Sequence, residues 1–575
     1  MAVTNSDIAR MFNETADLLE IKGENPFKVR AYRNAARIVQ NIAKPLKDLI
    51  EEGYELTKIP GIGHDLSEYI KEIVKTGKFS KLERLKSEIP PQLIDMLAIE
   101  GLGPKRIRTL YERLHITSME DLRRAATAGK IEKLPGFGPV LVKKILKGIK
   151  LAKKAGERFR LDVAENYARD LVSYLRKIPG ILTIEVAGSF RRKKETVGDL
   201  DILVTAENWE KVSDHFVKYE GIKETVSKGP TRSSVILDSG LQIDLRSVPK
   251  ESYGAALHYF TGSKSHNIEI RKLALQKGLK INEYGVFKDE QKIAGATESE
   301  VYKAVGLDYI EPELRENRGE IEAVQKGDLP SLVEPDEIRG DLHIHTRYSD
   351  GANTIEEMAQ AAIDRGYEYI AITDHSKRMS IAGGLDEKAV LKQIEHIQKL
   401  NQRYKGFKIL KGIEVDILED GSLDLSDEVL KELDIVVAAI HSKFSLSREK
   451  QTYRLLKAMD NPYFIIVAHP TGRLIAQRQP YDIDMQRVIE FAKERGVILE
   501  INAQPQRLDL NDIYIKMAKD AGVKMAISTD AHDLFSLEYM RYGLYQARRG
   551  WCERVDIVNT KSLSELEKFI KDIKR

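Results

Sequence analysis

The sequence predicts a multidomain chain: a helical N-terminal part, an α+β middle part and a C-terminal parallel α/β barrel. Three observations support this. Short amphipathic segments broken by Gly and Pro extend to about residue 160, and β-branched runs mixed with helical segments begin near residue 181. Beyond about residue 338, strand-like apolar runs alternate with helical segments. A length of 575 residues agrees with three to four domains.

Composition excludes several classes of protein. Hydrophobic residues make up 42% of the chain and charged residues 31%, which excludes a disordered, collagen-like or disulfide-stapled protein. The single cysteine, Cys552, cannot form an internal disulfide. The N-terminal segment has no apolar signal core, and no run approaches the ~20 apolar residues of a membrane span. We expect a cytoplasmic monomer with no membrane partner.

The helical part repeats one glycine pattern three times, as IPGIG (59–63), IEGLG (99–103) and LPGFG (134–138). Each turn precedes a helical segment, whose first backbone N–H groups can hold a phosphate oxygen. Residues 101–160 also carry 16 Lys and Arg against 5 Asp and Glu. The charge surplus alone is equally consistent with binding of a polyanionic partner and with a helix face exposed to solvent. The turns resemble helix-hairpin-helix motifs, which implies contacts to the DNA backbone at Gly61, Gly63, Gly101, Gly103, Gly136 and Gly138.

The middle part contains a pair of carboxylates in G-D-L-D-I. Asp199 and Asp201 alternate on a predicted strand, so both project to one face, about 6–7 Å apart. This spacing suits two divalent ions, and hard oxygen ligands favour Mg²⁺. Asp244 in Q-I-D-L-R could add a third carboxylate from a neighbouring strand. Alone, D-x-D is more often a polar strand edge, but the preceding Gly188-Ser189 turn and Arg192 could hold a triphosphate.

The motifs G-S-F-R-R, G-D-L-D, I-D-L-R, Y-F-T-G-S and I-N-E-Y occur in this order, and residues 1–315 resemble the family X DNA polymerases. The resemblance implies an α+β nucleotidyltransferase palm and a thumb, acting on gapped or primed DNA with deoxynucleoside triphosphates. By resemblance, Asp199, Asp201 and Asp244 are catalytic and hold two Mg²⁺ ions. The implied nucleotide-binding residues are Gly188, Ser189, Arg192, Gly198, Tyr259, Phe260, Gly262, Asn267 and Arg271.

The N-terminal domain departs from the family pattern at one position. Relatives of polymerase beta use a lysine after the first hairpin to form a Schiff base with a 5′-deoxyribose phosphate, and Tyr69 stands at this position. Tyrosine has no amine for imine chemistry. Lys28, in P-F-K-V-R, matches a phosphate-contacting position. We therefore expect DNA binding at Lys28 and doubt a lyase activity.

Histidines and carboxylates follow successive strand-like runs in the C-terminal part. A parallel barrel collects the C-terminal ends of its strands at one rim, where active sites form. Imidazole combined with carboxylate suits Zn²⁺, Mn²⁺ or Fe²⁺. Residues 339–575 resemble the PHP domain, a seven-stranded (β/α)7-type metalloesterase barrel. The ligand set that this resemblance implies, for up to three Mn²⁺ or Zn²⁺ ions, is His343, His345, Asp350, His375, Glu414, His441, His469, Asp530 and His532.

These patterns predict six segments: a helical polymerase-beta-like domain (1–90), a helix-hairpin-helix region (91–165), a palm (166–250), a thumb (251–315), a linker (316–338) and a PHP barrel (339–575). The leading hypothesis is a gap-filling repair polymerase with a metal-dependent 3′–5′ exonuclease. One alternative is an end-processing nuclease with vestigial polymerase activity, and another is a DNA-binding scaffold. A true linker would let the polymerase function without residues 339–575.

Overall fold

The computed structural model describes residues 5–42, 46–99, 102–139, 141–142, 145–146 and 158–573. The chain forms two compact units, residues 1–158 and 159–575. In the described part of the chain, no helix is both long enough and apolar enough to cross a membrane.

The first unit is helical, and its core consists of the apolar faces of short helices, including Phe12, Tyr32 and Phe79. Glycine ends or begins several of these helices because it adopts conformations that other residues avoid. The helices are α1 (Asn5–Lys22), α2 (Pro26–Asn41), α3 (Leu46–Glu51), α4 (His64–Thr76), α5 (Ser80–Glu88), α6 (Pro104–Leu114) and α7 (Met119–Thr127).

The predicted palm contains a mixed five-stranded sheet with the order β2-β4-β7-β6-β5. At the start of β4, polar and apolar residues alternate, so Leu200 and Ile202 lie in the core and Asp199 and Asp201 lie on the opposite face. Strands β4 and β7 are parallel neighbours. The elements are β1 (Phe159–Arg160), α8 (Leu161–Leu175), β2 (Ile181–Val186), α9 (Gly188–Arg191), β3 (Thr196–Val197), β4 (Asp199–Ala206), α10 (Trp209–Phe216), β5 (Ile222–Lys228), β6 (Arg232–Leu237) and β7 (Gln242–Ser247).

The predicted thumb is a small α+β layer with an antiparallel three-stranded sheet, β10-β9-β8. Its buried His266 contacts Glu320 through Nδ1 at 2.8 Å and the Tyr302 hydroxyl through Nε2 at 2.9 Å, so this histidine is a structural residue. The elements are α11 (Tyr253–Thr261), α12 (Lys264–Gln276), β8 (Leu279–Asn282), β9 (Gly285–Lys288), β10 (Gln291–Ala294) and α13 (Glu298–Ala304).

The segment interpreted as a linker is folded against its neighbours. It contains helix α14 (Glu320–Lys326), whose Ile321 and Val324 belong to the apolar core of the thumb. Glu320 is fully buried beside His266. This packing is not apparent from the sequence, because the apolar positions of the segment are few and separated by charged residues.

The C-terminal part is a seven-stranded parallel barrel in sequential order from β11 to β17. The backbone N–H of His345 donates to the Ala531 carbonyl at 2.8 Å, which brings the last strand back to the first. The strands are β11 (Gly340–Ile344), β12 (Tyr369–Ile372), β13 (Lys408–Asp416), β14 (Ile435–Ala439), β15 (Ile466–Val467), β16 (Ile498–Asn502) and β17 (Met525–Ser528). The helices are α15 (Ile355–Ile363), α16 (Glu387–Asn401), α17 (Asp427–Leu430), α18 (Arg448–Met459), α19 (Met485–Arg495), α20 (Asp512–Ala521), α21 (Met540–Arg549) and α22 (Leu563–Ile573).

The barrel shares apolar cores with the predicted palm and thumb. Leu508 and Tyr542 of the barrel are part of the palm core, and Trp551 is part of the thumb core. Ion pairs flank these contacts, such as Arg473 with Glu195 at 2.6 Å. Removing the barrel would expose this apolar surface to water, so the polymerase part is not independent of it.

Candidate active sites

The first candidate site lies on two parallel strands of the palm sheet. Asp201 on β4 stands directly opposite Asp244 on β7, and Asp199 lies two residues before Asp201 on the same face. Gly188, with φ +66°, allows the turn before α9 to approach this face, since a Cβ there would lie 3.2 Å from the Asp201 Oδ2. The structure therefore brings the three predicted carboxylates and the glycine turn together.

The charges around these carboxylates favour a cation. Burial, followed by repulsion from Asp199 and Asp244, raises the pKa of Asp201 to about 7. Two arginines partly balance the cluster: Arg232 donates to the Asp244 Oδ2 at 2.8 Å, and the Arg246 Nε lies 3.8 Å from the Asp201 Oδ1. Three carboxylates that repel one another are a suitable donor set for Mg²⁺.

The predicted nucleotide-binding residues surround the same edge of the palm. Arg192 follows α9 directly and donates to the Thr261 carbonyl, next to Gly262 (φ +71°). A Cβ on Gly262 would lie 3.2 Å from an Arg192 nitrogen, so this position requires glycine for space as well as for conformation. Ser189 lies within α9, and Gly198 immediately precedes β4.

The thumb supplies the other predicted nucleotide-binding residues. The Asn267 amide donates to the Tyr259 carbonyl at 2.7 Å, and the Arg271 guanidinium lies 5.7 Å from the centre of the Tyr259 ring. The Phe260 ring lies 5.1 Å from that of Tyr259 and stacks with Arg246 at 4.3 Å. Arg246 thus joins the thumb aromatics to Asp201, a role that sequence reasoning missed although its two-residue spacing from Asp244 places both on one strand face.

The second candidate site lies at the C-terminal rim of the barrel. It contains three overlapping groups whose potential ligand atoms lie within 4.8 Å of one another, and two histidines belong to two groups each. The groups are His345, Asp350, His375 and His532; His343, His345 and Asp530; and His375, Glu414 and His441. His469, the ninth predicted residue, lies with its Nε2 3.1 Å from the Glu414 Oε1.

Asp350 reaches this site from a loop, a placement that its sequence position did not reveal. Its Oδ1 lies 3.5 Å from the His345 Nδ1. Its Oδ2 lies 3.6 Å from the His375 Nε2 and 3.5 Å from the His532 Nε2. The structure thus brings all nine predicted side chains into one cluster.

Several buried atoms of this cluster are suitable for metal ions. The Nδ1 atoms of His345, His375, His441 and His469 are buried without a well-directed hydrogen bond, although carboxylate oxygens lie 3.5, 2.8 and 3.3 Å from the first three. Burial, then the neighbouring His532, lowers the pKa of His345 to about 3, so its ring is neutral as a metal ligand must be. Against the effect of burial, Glu414 and Asp350 raise the pKa of His375 to about 10. Bound cations would satisfy both the unpaired nitrogens and the carboxylates.

Two further carboxylates, outside the predicted ligand set, contact the ring nitrogens of histidines in the cluster. Glu500 on β16 contacts the His343 Nδ1 at 2.7 Å and accepts the backbone N–H of His469 at 2.6 Å. The Asp416 Oδ1 lies 3.3 Å from the His441 Nδ1. Such contacts fix the ring orientation of metal-binding histidines. Asp416 directly follows the strand-like run FKILKGIEV, as the predicted ligands follow theirs, so the same signal could have found it, whereas Glu500 lies inside a strand.

Arg507 adds a positive charge to the rim. Its Nε lies 3.8 Å from the Asp530 Oδ2, and its side chain is largely buried. Its position suits an anionic ligand at the cluster. It lies in the loop after β16, where no motif singled it out.

Among the described residues, every tight group of potential metal ligands lies in the barrel. The palm carboxylates are on one face but do not converge to the same extent. The palm carboxylates repel one another, whereas the imidazoles of the barrel lie beside carboxylates that attract them.

The glycine turns of the first unit share one geometry. Gly63 and Gly103 cap α4 and α6 with nearly the same backbone angles, and Gly61 and Gly136 adopt positive φ values of 92° and 84°. A Cβ on Gly63, Gly103 or Gly138 would meet nothing within 4 Å, so these turns are open to a ligand. Gly101 lies outside the described residues.

Tyr69 lies in an aromatic cluster of the first unit. Its ring stacks on Tyr32 with centroids 6.3 Å apart and lies 5.2 Å from Phe79. The nearby Lys81 Nζ lies 5.3 Å from the Tyr69 centroid. Lys28 is exposed on α2, with its Nζ 3.6 Å from a Glu24 carboxylate oxygen.

Family models match most of the chain in the predicted order. They describe a helix-hairpin-helix domain (residues 3–79), a SAM-like helix-hairpin-helix tandem (93–151), a DNA polymerase beta palm (162–258), a DNA polymerase beta thumb (256–316) and a PHP domain (341–504).

Individual relatives extend this similarity. The chain is 40% identical over 569 residues to a DNA polymerase/3′-5′ exonuclease PolX of Bacillus subtilis, covering 98% of this chain and 99% of that protein. It is 33% identical to a probable phosphatase of a Thermoanaerobacter species over 41% of this chain and 95% of the phosphatase. It is 26% identical to DNA polymerase lambda of Arabidopsis thaliana over 54% of this chain and 62% of that polymerase.

Proposed function

Because the chain belongs to the family X DNA polymerases that carry a C-terminal PHP domain, we propose that it fills short gaps during DNA repair and shortens primers in the 3′–5′ direction. The observation that carries this proposal is the presence of two separate carboxylate centres in one folded unit. Asp201 faces Asp244 in the palm, and nine potential ligands meet at the barrel rim.

In the palm, Asp199 and Asp201 would hold two Mg²⁺ ions, and Asp244 would help to activate a primer 3′-hydroxyl. Ser189 and Arg192, with the backbone of Gly188 and Gly198, would bind the triphosphate. Tyr259, Phe260 and Gly262 would pack against the sugar, and Asn267 and Arg271 would face the nascent base pair. When bound, the ions would stabilise the charge that develops on the transferred phosphoryl group.

In the barrel, the nine-residue cluster would hold up to three Mn²⁺ or Zn²⁺ ions, since imidazole favours these metals over Mg²⁺. Glu500 and Asp416 keep His343 and His441 oriented toward the ions. Arg507 would donate to the phosphodiester of the terminal nucleotide, beside Asp530. Each centre is built from one chain, which supports a monomer as the active form.

The first unit would anchor the DNA without reading its sequence. Backbone N–H groups at Gly61 and Gly63, Gly101 and Gly103, and Gly136 and Gly138 would bind phosphates, and Lys28 would contact a 5′-phosphate. Because tyrosine replaces the family lysine at position 69, we expect little borohydride-trapped adduct with a 5′-deoxyribose phosphate. Efficient trapping that Lys81→Ala abolishes would instead assign an amine to this site.

One gapped duplex tests both activities. With a 5′-labelled primer, we expect extension when deoxynucleoside triphosphates and Mg²⁺ are present, and shortening when Mn²⁺ is present without nucleotides. Shortening without any extension would favour the end-processing alternative. Binding with neither reaction would favour the scaffold alternative.

A further inference from the structure

A chain of alternating charges connects the barrel to the nucleotide-binding side of the palm. The Arg192 Nε donates to the Glu316 Oε1 at 3.0 Å, and Arg549 donates to the same oxygen at 3.1 Å. Arg549 also donates to the Asp512 Oδ2 at 2.5 Å. We call Arg192, Glu316, Arg549 and Asp512 the interdomain relay.

The relay joins elements that are distant in sequence. Arg192 follows α9 of the palm, and Glu316 follows the thumb. Arg549 is the last residue of α21, and Asp512 is the first residue of α20, both in the barrel part. The side chain of Arg549 is 1% exposed, and those of Arg192 and Glu316 are 12% exposed each. This burial shields the relay from water and salt.

Arg549 holds Arg192 in two ways. It donates directly to the Arg192 backbone carbonyl at 2.6 Å, and it shares Glu316 with the Arg192 side chain. The Thr261 carbonyl accepts from another nitrogen of Arg192. The guanidinium is therefore fixed in its orientation before any ligand binds, which lowers the entropic cost of binding.

The charges of the interdomain relay determine whether it strengthens or weakens the attraction of Arg192 for a triphosphate. Without Arg549, the negative charge of Glu316 would cancel the positive charge of Arg192, which a triphosphate requires. Arg549 supplies a second positive charge to Glu316, and despite burial Arg549 and then Arg192 lower the pKa of Glu316 to about 2. Arg549 is itself paired with Asp512, to which Arg318 also donates at 3.0 Å, so these three arginines and two carboxylates together carry one net positive charge.

Resting on the proposed contact between Arg192 and the triphosphate, we propose that Arg549 of the barrel is a positioning residue for the polymerase reaction. It neutralises and holds Glu316, so that Arg192 presents a fixed, uncompensated charge to the incoming deoxynucleoside triphosphate. The PHP domain thus completes the nucleotide-binding pocket of the palm in addition to its own site.

The neighbouring residue provides a matched control. Arg548, on the same helix and at the same interface, pairs with Glu313 at 2.8 Å and Glu334 at 2.7 Å. Its side chain is also largely buried, but it makes no contact with Arg192 or Glu316 in the described structure. Arg548→Met therefore disturbs the interface without disturbing the relay.

The test compares full-length Arg549→Met, Arg549→Lys and Arg548→Met in single-nucleotide gap filling. We expect Arg549→Met to raise the KM for the nucleotide about 10-fold, the effect of losing one charge-assisted contact, with a small change in kcat. Arg549→Lys keeps the charge and should recover most of the affinity. The 3′–5′ exonuclease rate reports whether each variant is folded, and equilibrium binding of a non-hydrolysable nucleotide gives a second readout.

Glu316→Gln tests whether the effect passes through Glu316. In the Glu316→Gln background, Arg549→Met should raise the nucleotide KM less than it does in the wild-type background, since the charge that Arg549 neutralises is gone and only the bond to the Arg192 carbonyl is lost. An equal increase in both backgrounds would overturn the proposal, as would an equal increase for Arg548→Met. If Arg549→Met does not fold, Arg549→Gln takes its place, and a KM no higher than that of Arg548→Met then overturns the proposal.

Arg192→Ala separates this inference from the proposed function. Unchanged nucleotide affinity in Arg192→Ala would remove the triphosphate contact itself. Weak binding in Arg192→Ala together with normal binding in Arg549→Met would overturn the relay alone.

Discussion

The two catalytic centres of the second unit differ in how completely the protein assembles them. At the barrel rim, six imidazoles and three carboxylates converge, and most are buried. In the palm, three carboxylates share a sheet face but stay further apart, and two are paired with arginines. The barrel ligands thus form compact groups, whereas the palm carboxylates share a sheet face without forming such a group in the described part of the chain.

The physical reason is the charge of the ligands. The barrel alternates imidazoles with carboxylates that attract them, as where a Glu414 oxygen lies 2.8 Å from the His375 Nδ1. In the palm each ligand is an anion. Burial is the largest cause of the raised pKa of Asp201, and repulsion from the neighbouring carboxylates raises it further. Such a site gains most from the charge of the substrate complex.

The largest effect should come from the palm. Asp201→Ala removes the carboxylate that faces Asp244, and we expect nucleotide incorporation to fall about 10³-fold. Primer shortening should remain within about 2-fold of wild type, because the barrel has its own ligands. Incorporation and shortening are measured on one 5′-labelled gapped duplex. Normal incorporation by this variant would show that the palm site is assigned to the wrong residues.

The reciprocal change should affect only the barrel. Replacing both His343 and His345 by Ala removes residues from two of the three groups, and shortening should fall at least about 100-fold. Extension with Mg²⁺ should persist. The metal content of the purified protein, measured by mass spectrometry, should fall in parallel. Unchanged shortening in nuclease-free preparations would exclude the barrel as the exonuclease.

A smaller effect distinguishes the metals of the two centres. After chelation and dialysis, Mn²⁺ should restore shortening several-fold better than Mg²⁺, because imidazole is the main ligand of the barrel. Mg²⁺ should be sufficient for extension by the all-carboxylate palm. Equal restoration of shortening by both ions would show that the carboxylates alone select the barrel metal.

The smallest effect concerns a buried histidine outside both centres. Burial, then Arg315, lowers the pKa of His258 well below its usual value, so the folded thumb keeps this ring neutral. The unfolded state gains a proton below about pH 6.5, so stability is retained above this pH and is lost as the pH falls below it, by up to about 1.4 kcal/mol per pH unit.

Hydrogen exchange of α11 at pH 7 and pH 5.5, corrected for the intrinsic rate, measures this loss of local stability. We expect His258→Leu to lose about 1 kcal/mol less than wild type over this interval. An identical loss in both proteins would show that another group, such as His266, causes the pH dependence.

Much of the chemistry could be predicted from the sequence because it depends on local spacing. Asp199 and Asp201 share a strand face because side chains alternate along a strand, and His343 and His345 do so for the same reason. The glycine turns also follow from local backbone requirements, as at Gly61 and Gly136. The order of the domains follows from motifs that each occupy a short stretch of chain.

The tertiary structure determined which of these segments contact one another. Asp350 enters the barrel cluster from a loop, the segment around Glu320 packs into the thumb, and Arg549 reaches Glu316 across 233 residues of chain. No periodicity marks such positions, because their partners come from other elements and their burial depends on how whole domains pack. The sequence by itself determined the ligands and their strands, while long-range packing determined their environment and the connection between the two halves.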